Sequence, residues 1–409
     1  MMKRITIREA YDWLHLGKDI NQVEWDELLE FLQSEYKDMV EIGFRRLRFI
    51  NLVGVIQLAS VRIEILPKLE IDSESEEKNR EALLNMLVVT KTFPVQIHES
   101  TFGQLAKADL LQIFAEVYTK LLLKEVRRGI YKEYKIEQEN SETLKGRLLV
   151  TEQVQRNAFM PIRAYCEFDT FQEDVRLNRI FKSALKLIIP HLKRSGVRSD
   201  ALFIMNLLQN VDEGKVSKTD LDKVKFNRQN KRFENIFKIA KMILLREMTT
   251  SRYNNQTSFS ILFEMNMLYE AYIEKCLHYL TLEKNIEVFS QHDRKHLLIN
   301  IKSGKENIKL KPDFYLVSPD DEIIIDTKWK NVAHEGRLLY SQADVYQMYA
   351  YITSYQKVSK CILLYPRTEV MEFPLWKVPE EEKYIGIHTV RLTSFKESID
   401  DLEIVLNTY

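Results

Sequence analysis

The chain has 409 residues, 45% hydrophobic and 29% charged, with few glycines (11) and prolines (9); this excludes a low-complexity chain and predicts a soluble protein of two or three domains built from long regular elements. Lys+Arg and Asp+Glu both number 60, so the formal charge is zero. That excludes a polyanion binder that is basic throughout, and any contact with nucleic acid has to come from local patches or from a partner.

The N-terminus, MMKRITIREAYDWLHLGKDI, lacks the apolar core of a signal peptide, and no apolar run approaches the roughly 18 residues that span a bilayer. Cys166, Cys276 and Cys361 are far apart with no CxxC pair, which predicts neither a disulfide framework nor a zinc ribbon and suits a reducing cytoplasm. The expected protein is cytoplasmic, with no membrane segment.

Residues 1–100 read as a mixed α/β domain. Ile5 to Trp13 suggests a strand followed by a helix start, and Glu24 to Ser34 has helical spacing. Leu52 to Leu58 and the strictly alternating Val61 to Leu66 read as strands closed by Pro67. The acidic DSESEEK at 72–78 is a loop or a helix N-terminus with Ser73 or Ser75 as cap. Residues 101–250 read as mainly helical: Leu110 to Arg128, Asp174 to Leu192 and Phe233 to Glu247 are helix patterns, interrupted by a β-like piece at Lys145 to Val150. Residues 251–409 change character. Ile261 to Leu280 reads as an amphipathic helix. Short β runs follow at Glu287–Ser290, Leu297–Ile301, Phe314–Val317 and Glu322–Asp326, then a helix over Ser341–Ser354 and a strand at Cys361–Tyr365. Helix, several strands, helix, strand predicts one mixed sheet flanked by helices, so the fold class is α+β and multidomain.

The chemistry concentrates in Leu310 to Lys330. Two apolar runs flank a Pro/Asp turn (Ser318-Pro319-Asp320-Asp321), which predicts a β-hairpin. Asp313 opens its first strand and Asp326 closes its second, so an antiparallel pairing brings the two carboxylates together. Asp326 and Lys328, two apart, share a face. Two carboxylates and water suit Mg²⁺ (or Mn²⁺), and a lysine beside them suits a phosphodiester transition state. A lone D-x-K triplet is most often a solvated edge. Here it follows Ile323-Ile324-Ile325, the apolar run of a buried central strand, with Pro312-Asp313 one hairpin upstream. Glu270, in the helix pattern Met267 to Ile273, is either a third metal ligand or an exposed helix charge. Gln347 and Tyr351 are i and i+4 on one helix face, beside the site or in ordinary packing.

The layout of Asp313, twelve residues, Asp326-x-Lys328 and a following QxxxY resembles the PD-(D/E)xK nuclease superfamily in its RecB-like and McrC-like branches. The stretches Asn51 to Leu58, Ile63 to Lys68, Arg128 to Tyr134, Leu144 to Leu148, Asn178 to Lys182 and Phe226 to Phe233 are similar in order to the McrC family. That resemblance implies a PD-(D/E)xK domain at 251–409 with Asp313, Asp326 and Glu270 as metal ligands and Lys328, Gln347 and Tyr351 in the catalytic set. It implies a DNA endonuclease subunit of a 5-methylcytosine-dependent restriction system, partnered by a hexameric GTP-hydrolysing AAA+ motor and acting on modified double-stranded DNA, with residues 1–100 docking in the motor ring. The middle acid, aspartate here, departs from the commoner glutamate. A P-loop is absent, as is any zinc finger.

Other features have blander readings. His292 and His296 are spaced for zinc on a helix, but the flanks read as turn and the third ligand is missing. Arg294, Lys295, Lys309 and Lys311, with Lys302 and Lys305, form a basic stretch leading to Asp313: phosphate contacts, or a charged hairpin surface. Lys120, Lys124, Arg127, Arg128, Lys132 and Lys135 form a second cluster that reads equally as a solvated face. Arg147, Asn178 and Arg228 are structural polar groups or, for an arginine, a contact to a neighbour's nucleotide. Two other functions stay open: a non-catalytic activator of an AAA+ motor, which has no need of the acid–lysine set, and a stand-alone RecB-like exonuclease, which would act without a partner.

Overall fold

Buried β runs organise the N-terminal part. Leu52–Gln57 pairs antiparallel with Val61–Leu66, and Lys3–Arg8 lies parallel to the latter. The computed structural model describes residues 3–58, 60–69, 75–94, 102–159, 162–192, 196–214, 216–245, 247–248, 258–282, 284–319, 321–334 and 336–407. All of Leu52–Gln57 and Val61–Leu66 is buried, although the second strand alternates apolar and charged side chains. Ion pairing resolves the conflict. Arg80, on the helix Ser75–Val89, holds Glu64 through two bonds of 3.0 and 2.7 Å, and Arg62 reaches Asp109 at 3.1 Å. The expected helix start before Trp13 is not formed: the chain turns after Arg8 with Ala10 at φ 61, and the first helix is Gln22–Glu35, closed at its start by the Asn21–Glu24 capping box. Ser73 lies outside the described residues, as does the Ser75 side chain.

The chain divides into two compact units, Met1–Ile113 with Glu247–Tyr409, and Phe114–Arg246. The two terminal parts, expected as separate domains, share the first unit because Ser258–Glu264 joins the N-terminal sheet antiparallel to Leu52–Gln57. The amphipathic helix expected from Ile261 therefore starts later, at Met265, and runs to Thr281; Ile261 and Leu262 are wholly buried strand residues. Gly54, at φ 133, permits this pairing: a Cβ there would sit 1.9 Å from the Ile261 carbonyl oxygen.

In the same unit, a six-stranded sheet runs Glu287–Ser290, Phe314–Val317, Glu322–Thr327, Val358–Pro366, Tyr384–Val390, Leu375–Lys377. Glu322–Thr327, Val358–Pro366 and Tyr384–Val390 are parallel and the outer pairings antiparallel, so the sheet is mixed. Met348, Tyr351 and Ile352 of the helix Gln342–Ser354 pack with Ile324, Cys361 and Leu363 of the sheet in one apolar cluster.

The second unit is less helical than its sequence suggests. Beside the helices Arg176–Ile188 and Glu234–Leu245 it has a three-stranded sheet in which Glu133–Ser141 pairs antiparallel with Ala164–Gln172, and Arg147–Leu148 lies on the other side. Glu133–Ser141 (EYKIEQENS) is largely exposed, so it shows no inside–outside alternation to read.

Candidate active site

The hairpin forms as its sequence predicts. Phe314 pairs with Ile325 and Val317 with Glu322, which sets Asp313 at the level of Asp326 and Thr327. Ile323, Ile324 and Ile325 are buried on the third of six strands, so the charges that follow emerge at the sheet's end from an apolar base. Asp326 itself is 1% exposed.

Each polar side chain is held by its neighbours. Asp313 Oδ2 accepts from the backbone N–H and the hydroxyl of Thr327, both at 2.7 Å. Its Oδ1 accepts from Gln291 Nε2 at 3.3 Å, and the same amide donates to Glu270. Gln291 thus joins the helix carboxylate to the hairpin carboxylate. The Lys328 ammonium pairs with Asp326 Oδ2 and donates to Gln347 Oε1 at 3.1 Å. Gln347 Nε2 donates to Tyr351 Oη at 2.8 Å and to Asp326 Oδ1 at 3.4 Å. The six residues expected at the site therefore meet in it. Gln291 and Thr327 were not foreseen: Gln291 belongs to the set only because its N–H pairs with the Asp313 carbonyl at 2.7 Å, a partnership that its own sequence does not announce.

Burial first, and then the charge of Asp313, pushes the Asp326 carboxyl up to about 7, against the pull of Lys328. Burial and Asp313 also raise Glu270, and Lys311 and the Gln291 amide pull it down. Asp326 and Glu270, both raised by burial and by the charge of Asp313, form with it a donor set whose mutual repulsion a divalent cation would relieve. Asp326 Oδ2, buried and without a hydrogen-bond donor beyond the lysine ion pair, is aimed into this set. Among the described residues no three acidic, histidine or cysteine side chains close into a ready-made cage.

The other candidates are placed as follows. Lys309 pairs with Asp293 at 2.6 Å, and Lys295 lies over the Tyr355 ring at 6.0 Å. Both belong to, or border, an exposed hairpin of Lys295–Ile299 and Glu306–Leu310. Arg294 and Lys311 flank it, with Lys311 close enough to act on Glu270. His292 bonds Tyr355 Oη at 2.8 Å and His296 pairs with Glu306 at 2.8 Å, so the two histidines do not converge. In the second unit, Lys120, Arg128 and Lys132 pair with Glu116, Glu125 and Glu173. Asn178 donates to the carbonyls of Tyr131 and Glu173 at 2.7 Å each, a loop-holding role, and Arg147 pairs with Glu167 at 2.7 Å.

Residues 47–366 match the family described as the McrBC 5-methylcytosine restriction system component. The chain belongs to this family. A McrBC relative, the type IV methyl-directed restriction enzyme EcoKMcrBC of Escherichia coli K12, is 21% identical over 321 residues, 75% of this chain and 90% of the relative. A chain in the half-complex from the tetradecameric assembly of Thermococcus gammatolerans McrB AAA+ hexamers with bound McrC superimposes with a TM-score of 0.77 at 19% identity, covering 98% of this chain and all of that one. A chain of the T. gammatolerans McrBC complex superimposes with a TM-score of 0.55 at 21% identity, over 68% of this chain and 88% of that one. The McrBC match reaches past Lys328 and Gln347 and so takes in the acids, the lysine and the helix beside them. No helix among the described residues is long and apolar enough to cross a membrane.

Proposed function

We propose that this chain is a divalent-metal-dependent DNA endonuclease of the PD-(D/E)xK type, the nuclease subunit of a modification-dependent restriction complex driven by a GTP-hydrolysing AAA+ hexamer. The observation that carries the reading is the gathering of Asp313, Asp326 and Lys328 at the end of a buried strand, with Glu270 tied to Asp313 through Gln291. Mg²⁺ or Mn²⁺ held by Asp313, Asp326 and Glu270 would supply Lewis-acid charge and an activated water. Thr327 fixes the direction of Asp313. Lys328 is held by Asp326 and Gln347 yet keeps 19% of its side chain exposed, so its ammonium faces the charge that grows on a phosphate oxygen. Tyr351 orients Gln347. Replacing Gln347 by alanine is expected to lower single-turnover cleavage about tenfold to a hundredfold, the usual effect of losing an outer-shell partner, with DNA affinity unchanged.

Arg294, Lys295, Lys309 and Lys311 bind DNA phosphates in this reading, since Lys311 is close enough to act on Glu270 and the other three lie on or beside the hairpin that leads into Asp313. Alanine at Lys295 and Lys311 is expected to flatten the salt dependence of DNA binding, by about 0.9 in log–log slope for each phosphate no longer neutralised. Fluorescence anisotropy across a KCl series measures it, and an unchanged slope takes these lysines off the DNA path. The structures of relatives hold McrB AAA+ hexamers; the same class of partner is proposed here. The second unit exposes Tyr134, Ile136, Val150, Val154, Phe159 and Phe171, and the N-terminal part exposes Val23, Ile42 and Phe44; both sets are apolar side chains that suit a protein partner.

The test is cleavage of methylated plasmid by the chain with its AAA+ partner and GTP, beside Asp326→Ala. Cleavage that survives the substitution removes the site. Degradation from DNA ends without the partner points to the exonuclease. Stimulated GTP hydrolysis with no cleavage by the unsubstituted chain points to the activator.

A further inference from the structure

The loop after Lys328 is anchored from the opposite end of the chain. Trp329 is 4% exposed, and its indole N–H donates to the carboxylate of Glu9. Two residues on, Asn331 Nδ2 donates to Tyr11 Oη. Glu9 directly follows the first strand of the N-terminal sheet, its own N–H donating to the Leu66 carbonyl at 3.0 Å. Its side chain is wholly buried, with the backbone of Asn51 and Lys68 donating to it. Glu9 Oε2 has no hydrogen-bond partner among the described side chains. The charge of Lys68 offsets part of the cost of burying this carboxyl, and the Trp329 indole N–H is the side-chain donor that it receives.

Trp329 also meets the other side of the site. Its ring lies against Tyr269, centroids 5.4 Å apart, and Tyr269 directly precedes Glu270. Asn51, which donates to Glu9, accepts at its carbonyl from Met265 N–H (3.0 Å) and at its side chain from Asn266 N–H (2.7 Å), the first residues of the helix that carries Glu270. One indole therefore touches the residue before Glu270, is itself the residue after Lys328, and hangs on one N-terminal carboxylate.

We propose that Glu9 is a positioning residue for this site: through the Trp329 indole it sets the loop that begins at Lys328 and, through Tyr269, the spacing between Lys328 and Glu270. The consequence for cleavage rests on the nuclease reading; the consequence for metal affinity rests only on these acids binding a divalent cation. Without an acceptor, the buried indole N–H has to turn toward another one, and the backbone of Lys328 moves with it.

The experiment compares Glu9→Leu, Glu9→Gln, Trp329→Phe and the double variant Glu9→Leu/Trp329→Phe in the full chain. Glutamine keeps an acceptor; phenylalanine keeps the ring on Tyr269 but has no N–H. With the partner present, Glu9→Leu and Trp329→Phe are each expected to lower kcat about tenfold to a hundredfold with KM for DNA unchanged, Glu9→Gln to restore most of it, and the double variant to be no worse than the singles. Calorimetric titration of Mn²⁺ into the chain alone is expected to show the same pattern in Kd. Should Glu9→Leu fail to fold, Trp329→Phe carries the comparison. Losses that glutamine does not restore and that add up in the double variant overturn positioning in favour of plain structural support. Unchanged kcat and Mn²⁺ affinity in folded Glu9→Leu also overturn it, leaving the nuclease reading intact. Mn²⁺ affinity that tracks Glu9 in a chain that cleaves nothing upholds positioning and removes the nuclease reading.

Discussion

Asp326→Asn is expected to abolish cleavage and, in a chelator, to raise the melting temperature by a few degrees. The two effects have one cause. Asp326 is almost completely buried, and its environment pushes the carboxyl up to about 7 through burial and the charge of Asp313, with Lys328 opposing. The folded protein therefore holds this charge at a cost when no cation is present, and an uncharged, nearly isosteric amide removes that cost. The missing ion pair with Lys328 weighs less, because that ammonium is partly exposed and keeps Gln347 as acceptor. Cleavage needs the charge, and losing a group that stabilises the transition state so directly reduces the rate by about a thousandfold or more. Differential scanning fluorimetry in EDTA and a plasmid assay in Mg²⁺ measure both. A melting temperature that falls in EDTA contradicts the electrostatics, and near-normal cleavage contradicts the site.

The parts of this site that are local in sequence were legible in it. A turn rich in Pro and Asp between two apolar runs specifies a hairpin, and the period of two then places Asp313, Asp326 and Lys328 without further information. The i, i+4 spacing makes Gln347 and Tyr351 legible as neighbours, while their place beside the acids rests on the QxxxY resemblance. Gln291 was not, since its role comes from the pairing of Ser290 with Phe314, and edge-strand pairing has no local code. Glu9 and Trp329 are 320 positions apart, and nothing near either names the other. Misread elements followed the same logic. Ile261 to Phe263 runs without a break into a helical pattern, and only the partner strand Leu52–Gln57 shows that it is β. Glu133–Ser141 is polar on both faces and held by its pairing with Ala164–Gln172, so hydrophobic periodicity had nothing to detect.

The stabilisation conferred by Mg²⁺ is expected to grow steeply between about pH 5 and pH 7. The folded-state value for Asp326, about 7, lies above the ordinary 3.8, and Glu270 is raised in the same direction. Between the ordinary and the raised values the folded state binds more protons at these acids than the unfolded one, so without a cation their contribution to stability falls as pH rises from about 4 to about 7. The cation binds the ionised carboxylates and must displace these protons. For one proton displaced, each pH unit below about 7 weakens apparent affinity about tenfold, and the melting-temperature increment at fixed Mg²⁺ shrinks accordingly. Above about 7 the increment levels off, because the acids are already charged. Melting curves with Mg²⁺ and with EDTA at several pH values test this, and titrations in two buffers of different ionisation enthalpy count the protons released. Asp326→Asn should remove most of the pH dependence. An increment that stays flat across this pH range in the unsubstituted chain means that the cation does not bind at these acids.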